Sequence, residues 1–148
     1  MGNGNRKLID ILVVEDNPGD ARLIMEVLEG NNLHNSIHVV KDGVEAIDFL
    51  NRNGEFAGMP RPDLIFLDLN LPKKDGRQVL SEIKSDNNLK QIPVVVMTTS
   101  QAEEDIIKSY DLHANCFVTK PFDFDQFTML VASIENFWSS LAKLPGKA

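Results

Sequence analysis

Cysteine is nearly absent from this sequence, because Cys116 is the only one among its 148 residues. No internal disulfide can therefore form, and a single cysteine fits a reducing compartment, so we expect a cytoplasmic protein. One cysteine and three scattered histidines also leave no zinc site of familiar spacing. No apolar run approaches the roughly 20 residues that a membrane helix requires, and residues 1–7 lack the apolar core of a signal peptide.

Positive charge is also in short supply. Fifteen lysines and arginines stand against 22 acids, which gives a formal net charge of −7. A protein that binds bare nucleic acid needs a basic stripe for the phosphates, and none is visible, so we expect no direct nucleic-acid binding. The acidic balance is compatible with a cationic partner or a hard metal ion.

Apolar strands and amphipathic helices alternate five times along the chain. The strands are predicted at residues 8–14, 37–40, 64–68, 92–98 and 116–119, and the helices that follow them begin near Asn17, Asp42, Gly76, Ala102 and Asp125. This alternation predicts an α/β fold, a parallel sheet with helices on both faces. We expect one domain over residues 1–148, with a core at about 8–138, a last helix to about 144 and no output domain. The loop at 51–62 is longer than usual, and the sequence assigns it no role.

Polar side chains stand at the carboxyl ends of four of these strands. Glu15 and Asp16 follow the first strand, Asp68 ends the third, Thr98 the fourth, and Lys120 follows the fifth. Because the carboxyl ends of parallel strands share one edge, where open α/β sheets bind ligands, we expect these groups to converge. Each could have a local role instead, the acids as helix or turn caps, Thr98 in a turn and Lys120 on the surface. That reading requires four independent coincidences, so we favour one shared site.

Three carboxylates placed together repel one another unless a cation neutralises them. Mg²⁺ prefers oxygen ligands and is typically held by one or two carboxylates together with phosphoryl oxygens. A metal beside Asp68 would also admit an anionic phosphoryl donor, so that the carboxylate could act as a nucleophile and form an aspartyl phosphate. Lys120 would offer the phosphate a mobile positive charge, and Thr98 a hydroxyl donor.

The ordered set of motifs resembles the receiver domain of two-component response regulators. The resemblance covers most of the chain, and its motifs are residues 13–16 (VVED), 63–72 (DLIFLDLNLP), 75–76 (DG), 92–98 (IPVVVMT) and 120–121 (KP). It implies a flavodoxin-like receiver fold, with a five-stranded parallel sheet in the order 2-1-3-4-5.

The resemblance also implies roles for the acidic residues. Asp68 would accept a phosphoryl group from the phosphohistidine of a sensor histidine kinase, so the protein would catalyse only its own phosphorylation and dephosphorylation and would not otherwise be an enzyme. Asp68 and Asp16 would ligate Mg²⁺ directly, Glu15 mostly through water, and the backbone carbonyl of Asn70 would complete the protein's ligands. The Glu-Asp pair departs mildly from the commoner Asp-Asp pair and should keep metal binding.

A second group of residues would carry the response. Lys120 would bind the phosphate, and the peptide bond before Pro121 would be cis. Thr98 would move toward the phosphate while Phe117 rotates inward behind it, which would change the surface of the fourth helix, fifth strand and fifth helix. Taken alone, Phe117 is better explained as an ordinary core residue.

Further segments resemble a narrower group of response regulators and suggest partners. Residues 73–77, 98–100, 112–116 and 134–138 resemble single-domain response regulators paired with cyanobacterial phytochromes, which implies a light-sensing kinase as the partner. The apolar stripe of the fifth helix continues through Trp138 and Leu141, so we expect a homodimer through the surface just named. Alternatively, Trp138 folds back onto the edge of the domain.

Three other functions are open at this point. A flavin-binding electron carrier of the same fold would need a glycine- and hydroxyl-rich loop after the first strand, where residues 15–18 are Glu-Asp-Asn-Pro. An aspartyl-phosphate hydrolase often places an aspartate two residues beyond its nucleophile, where this chain has Asn70. A receiver-like module that only binds partners would not need Asp68, Thr98 and Lys120 together.

Overall fold

The computed structural model describes residues 8–30, 34–99, 102, 105 and 116–143. Its strands are Ile9–Val14 (β1), His34–Val40 (β2), Leu64–Asp68 (β3), Val94–Thr98 (β4) and Cys116–Thr119 (β5). Its helices are Pro18–Glu29 (α1), Gly43–Asn51 (α2), Gly76–Ser85 (α3) and Phe124–Lys143, here termed the last helix, together with a short 3₁₀ turn at Gly54–Phe56.

All five strands pair in parallel in one sheet of order β2-β1-β3-β4-β5. This is the predicted order, and it confirms the flavodoxin-like fold. The chain runs from β1 outward to β2 and then returns to β3 on the other side, so the strand order reverses between β1 and β3. Ligands of open α/β sheets bind at the carboxyl ends of the strands that flank such a reversal.

Alternate residues of the central strands enter two separate hydrophobic clusters. In β3, Ile65 and Leu67 pack with residues of α2 and α3, whereas Leu64 and Phe66 pack with residues of α1 and the last helix. Every residue of β3 and β4 is buried. Both strands therefore need apolar residues on both faces, which explains their continuous apolar runs in the sequence.

Several element boundaries follow from local chemistry. Asn17 caps α1 by accepting a hydrogen bond from the Asp20 amide at 3.0 Å, and Pro18 takes the first helical position, as predicted. β4 begins at Val94 rather than at the predicted Ile92, because Pro93 has no N–H to give to a sheet ladder. β2 begins at His34, earlier than predicted, since an edge strand can start with polar residues.

The long loop after α2 contains local structure that the sequence did not reveal. Arg52 ends α2 in the left-handed conformation, with φ of 58°, and the 3₁₀ turn follows. Phe56 in this turn packs on Phe49 of α2, with ring centroids 5.5 Å apart. Val44 of α2, although apolar, is 44% exposed.

Parts of two predicted helices lie outside the described residues. Ala102 and Asp105 are helical, in agreement with the predicted fourth helix, whose other residues lie outside the description. The side chains of Trp138 and Leu141 lie outside it as well. Among the described residues, no helix combines the length and the hydrophobicity that crossing a membrane would require.

Candidate functional site

The acids at the ends of β1 and β3 meet, as the strand ends predicted. Carboxylate oxygens of Glu15, Asp16 and Asp68 all lie within 4.8 Å of one another. Glu15 and Asp68 are buried, whereas Asp16 is exposed. The cluster thus opens to solvent on the side of Asp16, where an ion could enter.

Lys120 brings the positive charge into this cluster. Its Nζ lies 2.8 Å from Glu15 Oε1, 3.0 Å from Asp68 Oδ2 and 3.0 Å from Asp20 Oδ2. Its backbone N–H donates to the Thr98 carbonyl at 2.8 Å, which fixes the end of β5 against β4. The Lys120–Pro121 peptide bond is cis, as the resemblance implied.

Burial and charge shift the ionisation of the two most enclosed groups in opposite ways. Burial raises the pKa of Glu15 to about 7, while Lys120 opposes this rise and Asp68 adds to it. Burial alone would lower the pKa of Lys120, but the carboxylates of Glu15, Asp68 and Asp20 beside it hold this pKa above the usual range. The carboxylates are therefore crowded beyond what one ammonium neutralises.

The donor set fits a hard divalent cation. Glu15, Asp16 and Asp68 offer only carboxylate oxygens, the ligands that Mg²⁺ and Mn²⁺ accept. Glu15 Oε1 is buried and meets Lys120 as an ion pair, without a directed hydrogen bond. A cation at this position would supply charge where the described residues leave a negative excess.

The loop after β3, residues 69–75, orients the Asp68 carboxylate. The Asn70 N–H donates to Asp68 Oδ1 at 2.8 Å, while Oδ2 faces Lys120 at 3.0 Å. The Leu69 N–H donates to the Met97 carbonyl at 3.0 Å, so the loop leaves the sheet at a fixed point. The side chain of Asn70 also reaches Thr99 Oγ1 at 3.4 Å.

The response regulator receiver domain model matches residues 11–132. The chain belongs to this family. Response regulator Rcp1 of Synechocystis sp. is 50% identical to this receiver domain over 135 residues, which cover 91% of this chain and 92% of Rcp1.

Two crystal structures support the same placement. The phosphorylated cyanobacterial phytochrome response regulator RcpA has 53% identity and a TM-score of 0.79, over 95% of this chain and 100% of RcpA. The Mn²⁺-bound form of Rcp1 has 48% identity and a TM-score of 0.77, over 93% of this chain and 99% of that one. The receiver domain is thus similar to cyanobacterial phytochrome response regulators, as its sequence motifs indicated.

Two glycines allow the backbone around the 69–75 loop to pack closely. A β-carbon on Gly76 would lie 2.9 Å from the carbonyl carbon of Leu69 and closer still to the Asp68 carbonyl oxygen. A β-carbon on Gly43, the first residue of α2, would lie 2.6 Å from Lys74 Cβ and would clash with the Lys74 backbone. The loop of this receiver domain therefore depends on the absence of side chains at both positions.

The predicted switch residues lie in the expected elements. Thr98 is buried at the end of β4, and Phe117 on β5 is partly buried against the cluster that includes α2 and α3. The coupled movement of these two side chains stays a prediction.

Sequence reasoning missed two groups around Lys120. Asp20 forms an ion pair with it, and the Phe122 ring lies with its centroid 5.8 Å from Nζ. Asp20 did give one signal, an acid in the first turn of a helix, but that pattern usually reflects the helix dipole. Phe122 gave none beyond its position two residues after Lys120.

Proposed function

We propose that Asp68 is the phosphoacceptor of this receiver domain. The observation that carries the proposal is a buried carboxylate held between the Asn70 amide and Lys120, beside two further acids. In the reaction, the N–P bond of a kinase phosphohistidine breaks, an O–P bond to Asp68 forms, and the released imidazole takes up a proton. The acceptor in this step is the protein's own Asp68, and the donor is the kinase phosphohistidine.

Glu15, Asp16 and Asp68, with the Asn70 carbonyl, would hold Mg²⁺. When bound, the ion would neutralise the carboxylates and the incoming phosphoryl oxygens. The all-oxygen donor set supports this assignment. So does the relative Rcp1, whose structure contains Mn²⁺. Asp16, the exposed member of the set, is the ligand that an arriving ion would meet first.

Lys120 would bind the phosphoryl group on Asp68, since its ammonium already lies 3.0 Å from Oδ2. Thr98 would donate its hydroxyl to the same group, and Phe117 would follow by rotating inward. The output would be a changed surface formed by the predicted fourth helix, β5 and the last helix, which we propose as a homodimer interface. The similarity to phytochrome response regulators supports a phytochrome-type histidine kinase as the partner.

Phosphoryl transfer to Asp68 can be tested by intact-mass measurement after incubation with a phosphorylated histidine kinase and Mg²⁺. Wild type is expected to gain one phosphoryl group, and Asp68→Asn none. Asp125→Asn, which removes an exposed acid from the last helix, is the matched control and should be labelled like wild type. Undiminished labelling of Asp68→Asn would place the phosphoacceptor elsewhere. Labelling that persists in EDTA would contradict the metal assignment.

The proposed dimer is tested separately by sedimentation velocity at micromolar concentration, with and without phosphorylation. A dimer in either state supports the proposed homodimer, and a monomer in both states contradicts it. Transfer from a bilin-binding kinase that changes with illumination would support the light-sensing partner. Equal transfer in light and darkness from such a kinase would argue against that pairing.

A further inference from the structure

The ammonium of Lys120 lies among three carboxylates. Carboxylate oxygens lie at 2.8, 3.0 and 3.0 Å from Nζ, and the one on Asp68 accepts a hydrogen bond from it. Two of them belong to Glu15 and Asp68 of the proposed phosphorylation site. The third belongs to Asp20, which lies in the first turn of α1 and has no part in the function proposed above.

The three acids differ in how easily they can give up this ion pair. The exposed side-chain fraction is 0% for Glu15, 3% for Asp68 and 30% for Asp20. If Lys120 left Glu15, a buried carboxylate oxygen would lose its counter-charge, which is costly. Water can solvate the carboxylate of Asp20, so this is the partner that Lys120 can release at the lowest free-energy cost.

We propose that Asp20 is a positioning residue that holds Lys120 in the unphosphorylated protein and competes with the phosphoryl group for it. The inference rests on the function proposed above, in which a phosphoryl group on Asp68 takes a hydrogen bond from Lys120. Three carboxylate oxygens already lie within 3.0 Å of Nζ, so a phosphoryl oxygen can approach it only where one carboxylate gives way. The Asp20–Lys120 pair therefore opposes the phosphorylated state, and its loss should favour that state.

Asp20→Asn tests this directly, because the backbone N–H of residue 20 still donates to the Asn17 cap. The probe is beryllium fluoride with Mg²⁺, a phosphoryl mimic, titrated by isothermal calorimetry. We expect Asp20→Asn to bind about three-fold more tightly than wild type, because a partly exposed ion pair contributes only modestly. Asp20→Ala also lacks the charge and should show the same gain in affinity. It replaces Asp20→Asn in the titration if that variant folds poorly. The control Asp125→Asn changes net charge equally and should bind like wild type.

A purely structural role for Asp20 would weaken binding, so unchanged or weaker binding in both variants would overturn the proposal. Simple charge repulsion is separated by repeating Asp20→Asn in a Lys120→Gln background. Competition for Lys120 predicts that Asp20→Asn gives no gain in affinity in this background. If Lys120→Gln alone does not bind the probe, the double variant should not bind it either. A gain that persists without Lys120 refutes the competition. Wild type that does not bind the probe would instead refute the proposed function.

Discussion

Lys120→Gln should markedly destabilise the metal-free protein. The Lys120 side chain is 9% exposed, and two of the carboxylates that it neutralises are almost fully buried. Removing one partner of a buried ion pair typically costs about 3–5 kcal/mol. Glu15, whose pKa is about 7, can take up a proton and reduce this loss. We therefore expect a decrease of about 3 kcal/mol in the free energy of unfolding, which corresponds to a melting temperature lower by about 10 °C.

Urea unfolding in EDTA, monitored by circular dichroism, measures this change in the free energy of unfolding. The same titration is then repeated with Mg²⁺. A divalent ion would replace part of the lost positive charge, so Mg²⁺ should stabilise Lys120→Gln more than it stabilises wild type. The difference between the stabilisation of Lys120→Gln by Mg²⁺ and that of wild type reports how much of the charge balance depends on Lys120.

Lys74→Gln is the matched control, because Lys74 also forms an ion pair, with Glu82, but on the surface. Water solvates Glu82 after the change, so the expected loss is below about 1 kcal/mol. If Lys120→Gln in EDTA cost no more than Lys74→Gln, Lys120 would not be the neutralising group of the site, and the electrostatic reasoning would be wrong.

Three further predictions concern stability and the loop. Asn17→Ala should lower the free energy of unfolding by about 1 kcal/mol in urea titrations through loss of the α1 cap, and an unchanged midpoint would contradict the cap. Phe66→Ala should cost about 3–5 kcal/mol in the same assay, against almost nothing for the exposed Met129→Ala; similar losses would contradict the burial of β3. Gly76→Ala should weaken Mg²⁺ binding in calorimetry by displacing the loop beside Asp68, and wild-type affinity would show that the loop tolerates the β-carbon.

The parallel sheet and the edge that carries the site could be predicted because both depend on coarse patterns. Continuous apolar runs identified the buried strands β3 and β4, and four of the five strand ends placed polar residues. In a parallel sheet the strand ends share an edge, so no side-chain geometry was needed to bring Asp68 and Lys120 together. The resemblance then supplied the strand order and the cis peptide bond.

Contacts that depend on side-chain reach could not be predicted. Asp20 meets Lys120 only because the Lys120 side chain reaches from the end of β5 to the first turn of α1, and an acid at that helix position is ordinary. The close approach of Gly43 to Lys74 is a distance between the start of α2 and the 69–75 loop, with no sequence signal beyond the glycine itself. The 3₁₀ turn at Gly54–Phe56 could not be predicted either, because its packing depends on where Phe49 lies.

The close contact between Gly43 and Lys74 joins the beginning of α2 to the segment that carries the Asn70 amide. Position 43 contacts none of the carboxylates through a side chain, yet a methyl group there would push on the backbone that orients Asp68. Substitutions at position 43 are thus constrained by the chemistry at Asp68, in a different part of the chain. An inventory limited to charged residues would overlook it, although the geometry of the acidic pocket depends on a hydrogen atom at that position.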